Sequence, residues 1–238
     1  MSVEDECPNI EARIAGLREL GRISDYSEAY HITAMETICS YLRLNASRNA
    51  SDLKADEMDL QDGTLRPFRP RPDIVLAMQI LGGRTEQRMR FEKSRRYWIN
   101  VNHTTLRQID LWNVKLARTS LSTVDFTEAY LADVDFELAW LHCSVFDRAV
   151  MKNCNLNGAA LPRCNLKGAV NLQYEQVTRA FGVKSGNWKT ILPDEWEPPE
   201  DWFEPSSPDL SPSDFFDEFD LQYAEFCKRS GMDFIASR

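Results

Sequence analysis

Bulky apolar residues recur at every fifth position between residues 106 and 166 without a slip. The thirteen centres of this pattern are Leu106, Leu111, Leu116, Leu121, Phe126, Leu131, Phe136, Leu141, Phe146, Met151, Leu156, Leu161 and Leu166. A small or β-branched residue stands two positions before each centre, from Thr104 to Cys164. A period of five fits neither a helix nor a flat strand, so the chain must turn a corner once per repeat. We therefore predict short extended pieces that coil, stack and send every centre inward.

The repeats, among them AYLAD, VDFEL, CNLNG and CNLKG, resemble the pentapeptide-repeat family. The resemblance implies a right-handed, four-sided β-helix with four repeats per coil. Two opposite stacks of centres would then fill the interior, Leu106, Phe126, Phe146 and Leu166 against Leu116, Phe136 and Leu156. The predicted fold class is mainly β: a β-helical solenoid with an amino-terminal α-helical cap and a short carboxy-terminal helix.

The apolar residues ahead of the repeats follow helical spacing. They predict one helix across residues 10–20, a second across 32–42 and a third that begins at Pro72 and ends near Gly82. The stretches ARIAGLRELGRIS, YHITAMETICSYLR and PDIVLAMQILGGR resemble the amino-terminal helical module of a bacterial subgroup of the family. Such a module can cap the first coil, whose open edge would otherwise pair with other chains.

These patterns divide the chain into four segments. Residues 1–96 are predicted to form the helical module, with a polar loop over 45–71, and residues 97–172 the β-helix. Residues 173–204 would close the far end, beginning with a helix from Tyr174 to Phe181 that Gly182 ends. Residues 205–238 form an acidic, flexible tail with a predicted amphipathic helix.

The net charge of −9 is unevenly distributed along the chain. Residues 194–238 hold thirteen acidic and three basic residues, a net of −10, which leaves +1 for residues 1–193. Some pentapeptide-repeat proteins imitate duplex DNA and act on type II topoisomerases such as gyrase, and this mimicry needs a strongly negative coil surface. The coil here is nearly neutral, with Asp110, Asp125 and Asp135 on successive faces. DNA mimicry is therefore kept as the alternative function.

The sequence predicts no catalytic residue, metal site or cofactor, and hence no enzyme. None of the three histidines has a metal-ligand spacing, and the six cysteines include no CxxC pair. His142 adjoins Cys143, but the sequence fixes no carboxylate partner and a solid core offers no pocket. No apolar run approaches eighteen residues and the amino terminus lacks a signal peptide, so we expect a cytoplasmic protein without a membrane-spanning segment.

Exposed aromatic residues are the best candidates for binding. Trp112, Tyr130 and Trp140 occupy outward positions beside the centres. In the tail, Phe215, Phe216 and Phe219 belong to an acidic amphipathic helix. Two alternatives stay open for this helix: it docks on the chain's own surface, or it folds into a groove of a partner.

A basic stretch across residues 66–96 carries a net charge of +6. It lacks an interleaved aromatic pattern or a recognition helix, so nucleic acid is not the favoured partner. The predicted function is a non-enzymatic scaffold that binds a protein partner through the coil, the helical cap or the acidic tail, and a homo-oligomer is a further alternative.

Overall fold

The computed structural model describes residues 9–47 and 70–233. In these ranges the elements are α1 (Ile10–Tyr26), α2 (Glu28–Asn45), α3 (Pro72–Gly82), α4 (Glu86–Ser94), β1 (Ile99–Asn100), β2 (Thr119–Ser120), α5 (Tyr174–Val177), a 3-10 turn (Gly186–Trp188) and α6 (Pro212–Arg229). The three helices predicted ahead of the repeats are present as α1, α2 and α3. Most of the predicted polar loop lies outside the described residues.

The repeat region returns to the same side every twenty residues. Strand β1 pairs in parallel with β2, placing Ile99 opposite Thr119. Beyond them, single parallel bridges continue the register, as in the ladder that joins Asp110, Tyr130, Val150 and Val170. Since each repeat has five residues, four repeats fill one coil and create four ladders around it.

A residue in the left-handed backbone region marks each corner of the coil. From His103 to Arg163 every fifth residue has a φ between 52° and 66°. This conformation costs a non-glycine residue about 1–2 kcal/mol. Hydrogen bonds between coils offset that cost, for example from the Thr123 amide to the His142 carbonyl at 2.7 Å.

These corners also correct the fold-class expectation. Regular strand in the described ranges is limited to β1 and β2, of two residues each, so the label "mainly β" holds only in part. The reason is geometric, because a corner follows each short extended piece and divides the ladders into single bridges. The helical parts of the prediction fit the structure.

The interior contains the residues that the five-residue period places there. All thirteen centres are at most 1% exposed, and the small residues two positions earlier are buried as well. The rings of Phe126 and Phe146 stack at 5.1 Å, and Phe136 meets them edge-on at 6.2 and 6.1 Å. The two predicted stacks therefore meet inside the coil, and the predicted register is confirmed.

The helical module lies directly against the first coil. A Cβ atom on Gly82 would come within 2.0 Å of Val114 Cγ1, so only glycine allows α3 to approach this closely. The Gly82 carbonyl accepts a hydrogen bond from the Lys115 amide at 3.2 Å. At the end of α2, the Ala46 carbonyl accepts one from the Thr105 amide at 2.7 Å. Backbone pairing thus joins the helices to the coil.

The helix predicted from Tyr174 to Phe181 is shorter in the structure, where α5 ends at Val177. Phe181 instead continues a ladder of the coil. Its amide donates to the Ala159 carbonyl and its carbonyl accepts from the Leu161 amide, both at 2.9 Å. Pairing with the last coil therefore outweighs the local helical pattern.

Candidate functional site

One side of the coil presents apolar side chains outward. Tyr130, Val150 and Val170 come from one ladder, and Trp112 lies two residues after Asp110, which begins that ladder. We call Trp112, Tyr130, Val150 and Val170 the open face. Trp112 is 61% exposed, Tyr130 45% and Val170 42%. Trp112 Nε1 donates a hydrogen bond to Asp133 Oδ2 at 3.0 Å, and Asp133 Oδ1 accepts another from Asn153 at 3.1 Å. The exposed indole is therefore held in a defined orientation.

A second aromatic ladder is covered by the chain itself. It joins Ser120, Trp140, Ala160 and Phe181, and we call it the covered face. The Trp140 ring lies 5.7 Å from Phe219 and 6.1 Å from both Phe216 and Tyr223 of α6. Helix α6 therefore buries the apolar surface that this ladder would otherwise expose.

The sequence of α6 explains this docking. Pro212 occupies the first turn, and the Ser211 side chain accepts a hydrogen bond from the Asp214 amide. Phe215, Phe219, Tyr223 and Phe226 follow helical spacing and are buried on one side. Phe215 stacks on Trp188 at 4.4 Å, and the Tyr223 hydroxyl donates to the Gly158 carbonyl at 2.5 Å.

The six predicted partner-binding residues thus fall into two groups. Trp112 and Tyr130 are exposed on the open face. Trp140 and Phe216 are half-buried under or within α6, and Phe215 and Phe219 are fully buried. Of the two alternatives for the tail helix, the structure has docking on the chain's own surface, at Trp140.

The helical module contains a buried polar network that could not be predicted from the spacing of residues in the sequence. The Ser24 hydroxyl is 2.7 Å from His31 Nδ1, and His31 Nε2 is 2.7 Å from Glu92 Oε1. Arg84 Nη1 donates to the other Glu92 oxygen at 2.6 Å. The residue types are those of a hydrolytic triad, but all four side chains are buried. The cavity that reaches Glu92 holds about 20 Å³, room for one water. The network therefore joins α1, α2 and α4 in the buried interior of the helical module.

His142 and Cys143 do form a contact, with 3.2 Å between Nε2 and Sγ. Burial, together with the positive charges of Arg163 and His103, lowers the pKa of His142 to about 4. Its ring packs against Trp188 and Phe216 at 5.7 and 5.4 Å. Within the described ranges no carboxylate is hydrogen-bonded to this imidazole.

The lowered pKa of His142 predicts a pH-dependent stability. Because an unfolded histidine titrates near pH 6.5, the unfolded state binds more protons between about pH 6.5 and pH 4. The stability is thus complete above pH 6.5 and falls as the pH approaches 4. We expect the free energy of unfolding to drop by about 2 kcal/mol more between pH 8 and pH 5 in the parent than in His142→Gln.

Urea titrations at pH 8 and pH 5 measure this difference. Leu221→Gln provides the control, since it changes an exposed side chain of the last helix that does not titrate and should keep the pH dependence of the parent. An identical pH dependence in the parent and His142→Gln would contradict the buried, neutral state of this side chain.

The basic stretch is largely paired within the chain. Arg71 contacts Asp73 at 2.5 Å, and Arg84 contacts Glu92 at 2.6 Å. Arg88 pairs with Glu28, and Arg90 with Glu86. Lys93 meets Asp233 near the end of the acidic tail at 2.5 Å. Arg66 and Arg69 lie outside the described residues. Much of the described part of this stretch thus forms ion pairs within the chain.

Among the residues that the structure describes, no group of three or more histidine, cysteine, aspartate or glutamate side chains could hold a metal ion. Over the same part of the chain, no helix has the length and apolar character needed to span a bilayer.

A chain whose backbone returns every twenty residues around stacked apolar centres is a coiled repeat protein. Residues 104–141 and 129–168 match the family model "Pentapeptide repeats", with eight copies. This match shows pentapeptide repeats across residues 104–168 of the chain. Pentapeptide-repeat proteins are generally structural or interaction proteins rather than enzymes, and some interact with other proteins. The bacterial subgroup suggested by the helical module stays a prediction.

Several solved structures are similar in their repeats. HetL, a pentapeptide repeat protein involved in heterocyst differentiation regulation in the cyanobacterium Nostoc sp. strain PCC 7120, is 27% identical over 29% of this chain and 39% of its own, with a TM-score of 0.20. Rfr23 from the cyanobacterium Cyanothece 51142 is 19% identical over 43% of this chain and 65% of its own, with a TM-score of 0.18. A pentapeptide repeat protein from the Arabidopsis thaliana thylakoid lumen is 23% identical over 39% of this chain and 73% of its own, with a TM-score of 0.14.

The chain thus spans less than two thirds of the first two of these structures. No curated protein matches the sequence.

Proposed function

We propose that this protein is a non-enzymatic scaffold whose open face binds a protein partner. The coil would be the right-handed, four-sided β-helix that the family implies, between a helical module over residues 1–96 and a closing segment over 173–204. The observation that carries the proposal is the exposure of Trp112 and Tyr130 on neighbouring coils.

On the covered face, a helix of the chain itself shields the outward-facing aromatic side chains of the ladder from water. There, α6 packs four aromatic residues against the coil and removes the ladder from water. The open face has no such helix in the described ranges, yet it presents two rings beside Val150 and Val170. Large aromatic residues at the centre of an interface tend to dominate its binding energy. The open face is therefore the surface most suited to a partner.

The distribution of acidic residues disfavours the DNA-mimic alternative. A phosphate mimic needs acidic residues that repeat from coil to coil along one face. Here each acidic residue of a ladder is bridged to a residue without negative charge: Asp110 to Tyr130, Asp125 to Val145 and Asp135 to Asn155. A scaffold that uses its apolar face fits this surface better than a topoisomerase inhibitor.

Substitution of the two exposed rings tests the proposal. Trp112→Ala combined with Tyr130→Ala should reduce capture of the partner from host extract by about 30-fold or more, since truncating one central aromatic costs about 2 kcal/mol. Quantitative mass spectrometry of crosslinked complexes measures the loss, and circular dichroism checks that the coil is intact.

The matched control uses two exposed tyrosines of the helical module. Tyr26→Ala combined with Tyr30→Ala also removes two rings from the surface, but far from the open face in sequence. Capture should persist in this control. Equal capture by the parent and the open-face variant would refute the proposal. If the captured protein is the chain itself, sedimentation should show an oligomer that the open-face variant loses.

A further inference from the structure

The last coil is paired on three of its four sides. The amides of Met151, Leu161 and Leu166 donate to the carbonyls of Val170, Phe181 and Ile191 at 2.8, 2.9 and 2.8 Å. On the fourth side, the amides of Asn153 and Leu156 have no acceptor among the described residues. One coil earlier, the equivalent amides of Asp133 and Phe136 are both paired, at 2.9 and 2.8 Å.

A glutamine side chain supplies part of the missing pairing. In the preceding coil the Val134 carbonyl accepts the Asn155 amide at 2.9 Å. The equivalent Cys154 carbonyl accepts Gln176 Nε2 at 2.8 Å, and the Gln173 amide fixes the Gln176 side chain at 2.7 Å. The Gln176 side chain thus takes the place of the N–H donor that a further strand would supply. It offers no carbonyl to accept hydrogen bonds from the backbone amides of Asn153 and Leu156. Within the described part of the chain, two backbone donors on one edge are therefore left without an acceptor.

These donors lie at a cleft of suitable size. A cavity of about 490 Å³ is lined by Asn153, Leu156, Glu175 and Gln176, among others. It shares Asn157 and Arg179 with a neighbouring cavity of about 420 Å³, which Glu137 and Asp201 also line. Both volumes fall within the range of about 300–1,000 Å³ that is typical of ligand sites. Unpaired edge groups beside such a cleft form a template for another strand.

We propose that an extended, basic peptide segment of a partner protein adds to this edge as a further strand. Backbone carbonyls of the peptide accept hydrogen bonds from the Asn153 and Leu156 amides, as in other cases of strand addition. Its basic side chains lie towards the carboxylates of Glu137, Glu175 and Asp201, which outnumber the guanidinium of Arg179. The site lies at the end of the coil and adjoins the open face, because Asn153 donates to the Asp133 carboxylate that also accepts from Trp112. It uses different groups, the two backbone amides and the carboxylates of the cleft, so neither proposal depends on the other.

Two synthetic peptides of equal length test the proposal on the full chain. The probe is acetyl-Lys-Val-Lys-Val-Lys-amide and its charge control is acetyl-Glu-Val-Glu-Val-Glu-amide. We expect the Asn153 and Leu156 amides to exchange rapidly with deuterium in the free protein. The basic peptide should shift their NMR resonances and slow their exchange at least tenfold, and the acidic peptide should do neither.

Variants separate this site from general attraction to an acidic protein. Glu137→Gln combined with Asp201→Asn should weaken binding of the basic peptide by about tenfold. The control, Glu19→Gln, removes a negative charge from α1 and should leave the affinity unchanged. Slow exchange of both amides in the free protein would overturn the proposal. So would saturation by the basic peptide without shifts at Asn153 and Leu156, equal binding of the two peptides, or no binding.

Discussion

Phe146→Ala is expected to lower the free energy of unfolding by about 3–5 kcal/mol. The Phe146 ring is fully buried between coils, where it stacks on Phe126 and meets Phe136 edge-on. The cavity left by its removal cannot close readily, because hydrogen bonds between coils hold the backbone on both sides of it. The Phe146 amide donates to the Asn165 carbonyl, and the Phe126 amide donates to the Val145 carbonyl. Urea denaturation followed by circular dichroism measures the change.

Val145→Ala provides the control, since it truncates the half-buried outward neighbour of Phe146 in the same ladder. This variant should lose about 1 kcal/mol or less. Equal denaturation midpoints for the parent and Phe146→Ala would show that the stacked rings of Phe126 and Phe146 are not part of a tightly packed core.

The interior of the coil could be predicted from sequence because its constraint is local and repeated. Each centre, such as Phe126 or Leu141, is followed five residues later by another that must face the same interior. A shift of one residue would expose the whole set, so the pattern determines the register. The corners reinforce this register, since each occurs two residues after a centre.

Contacts between distant segments could not be predicted in this way. The amphipathic pattern of α6 identifies Phe215 and Phe219 as one face, but it does not specify the surface that they meet. His31 and Glu92 are 61 residues apart, and their contact depends on how α4 packs against α2. The unpaired amides of Asn153 and Leu156 depend on where the chain goes after Leu172, which the repeat pattern does not specify.

Phe219→Asp is expected to release α6 from the covered face. Phe219 is fully buried against Trp140, Phe181 and other rings of the cluster. Phe219→Asp would place a carboxylate there without a partner, which costs several kcal/mol unless the helix undocks. We expect α6 to leave the coil and expose Trp140, Phe181 and Trp188 to solvent. The coil should persist, because its centres are buried by one another.

Light scattering and limited proteolysis can test whether α6 is released. Light scattering should detect self-association of the variant, since a large exposed apolar patch promotes contacts between molecules. Limited proteolysis should cleave within residues 205–230 much faster than in the parent. Leu221→Asp is the matched control, because it places the same charge two residues away on a side chain that is 71% exposed. If Phe219→Asp stays monomeric and as resistant to protease as this control, α6 does not cover the Trp140 ladder in solution. That ladder would then be a second open face, available to a partner in the same way as Trp112 and Tyr130.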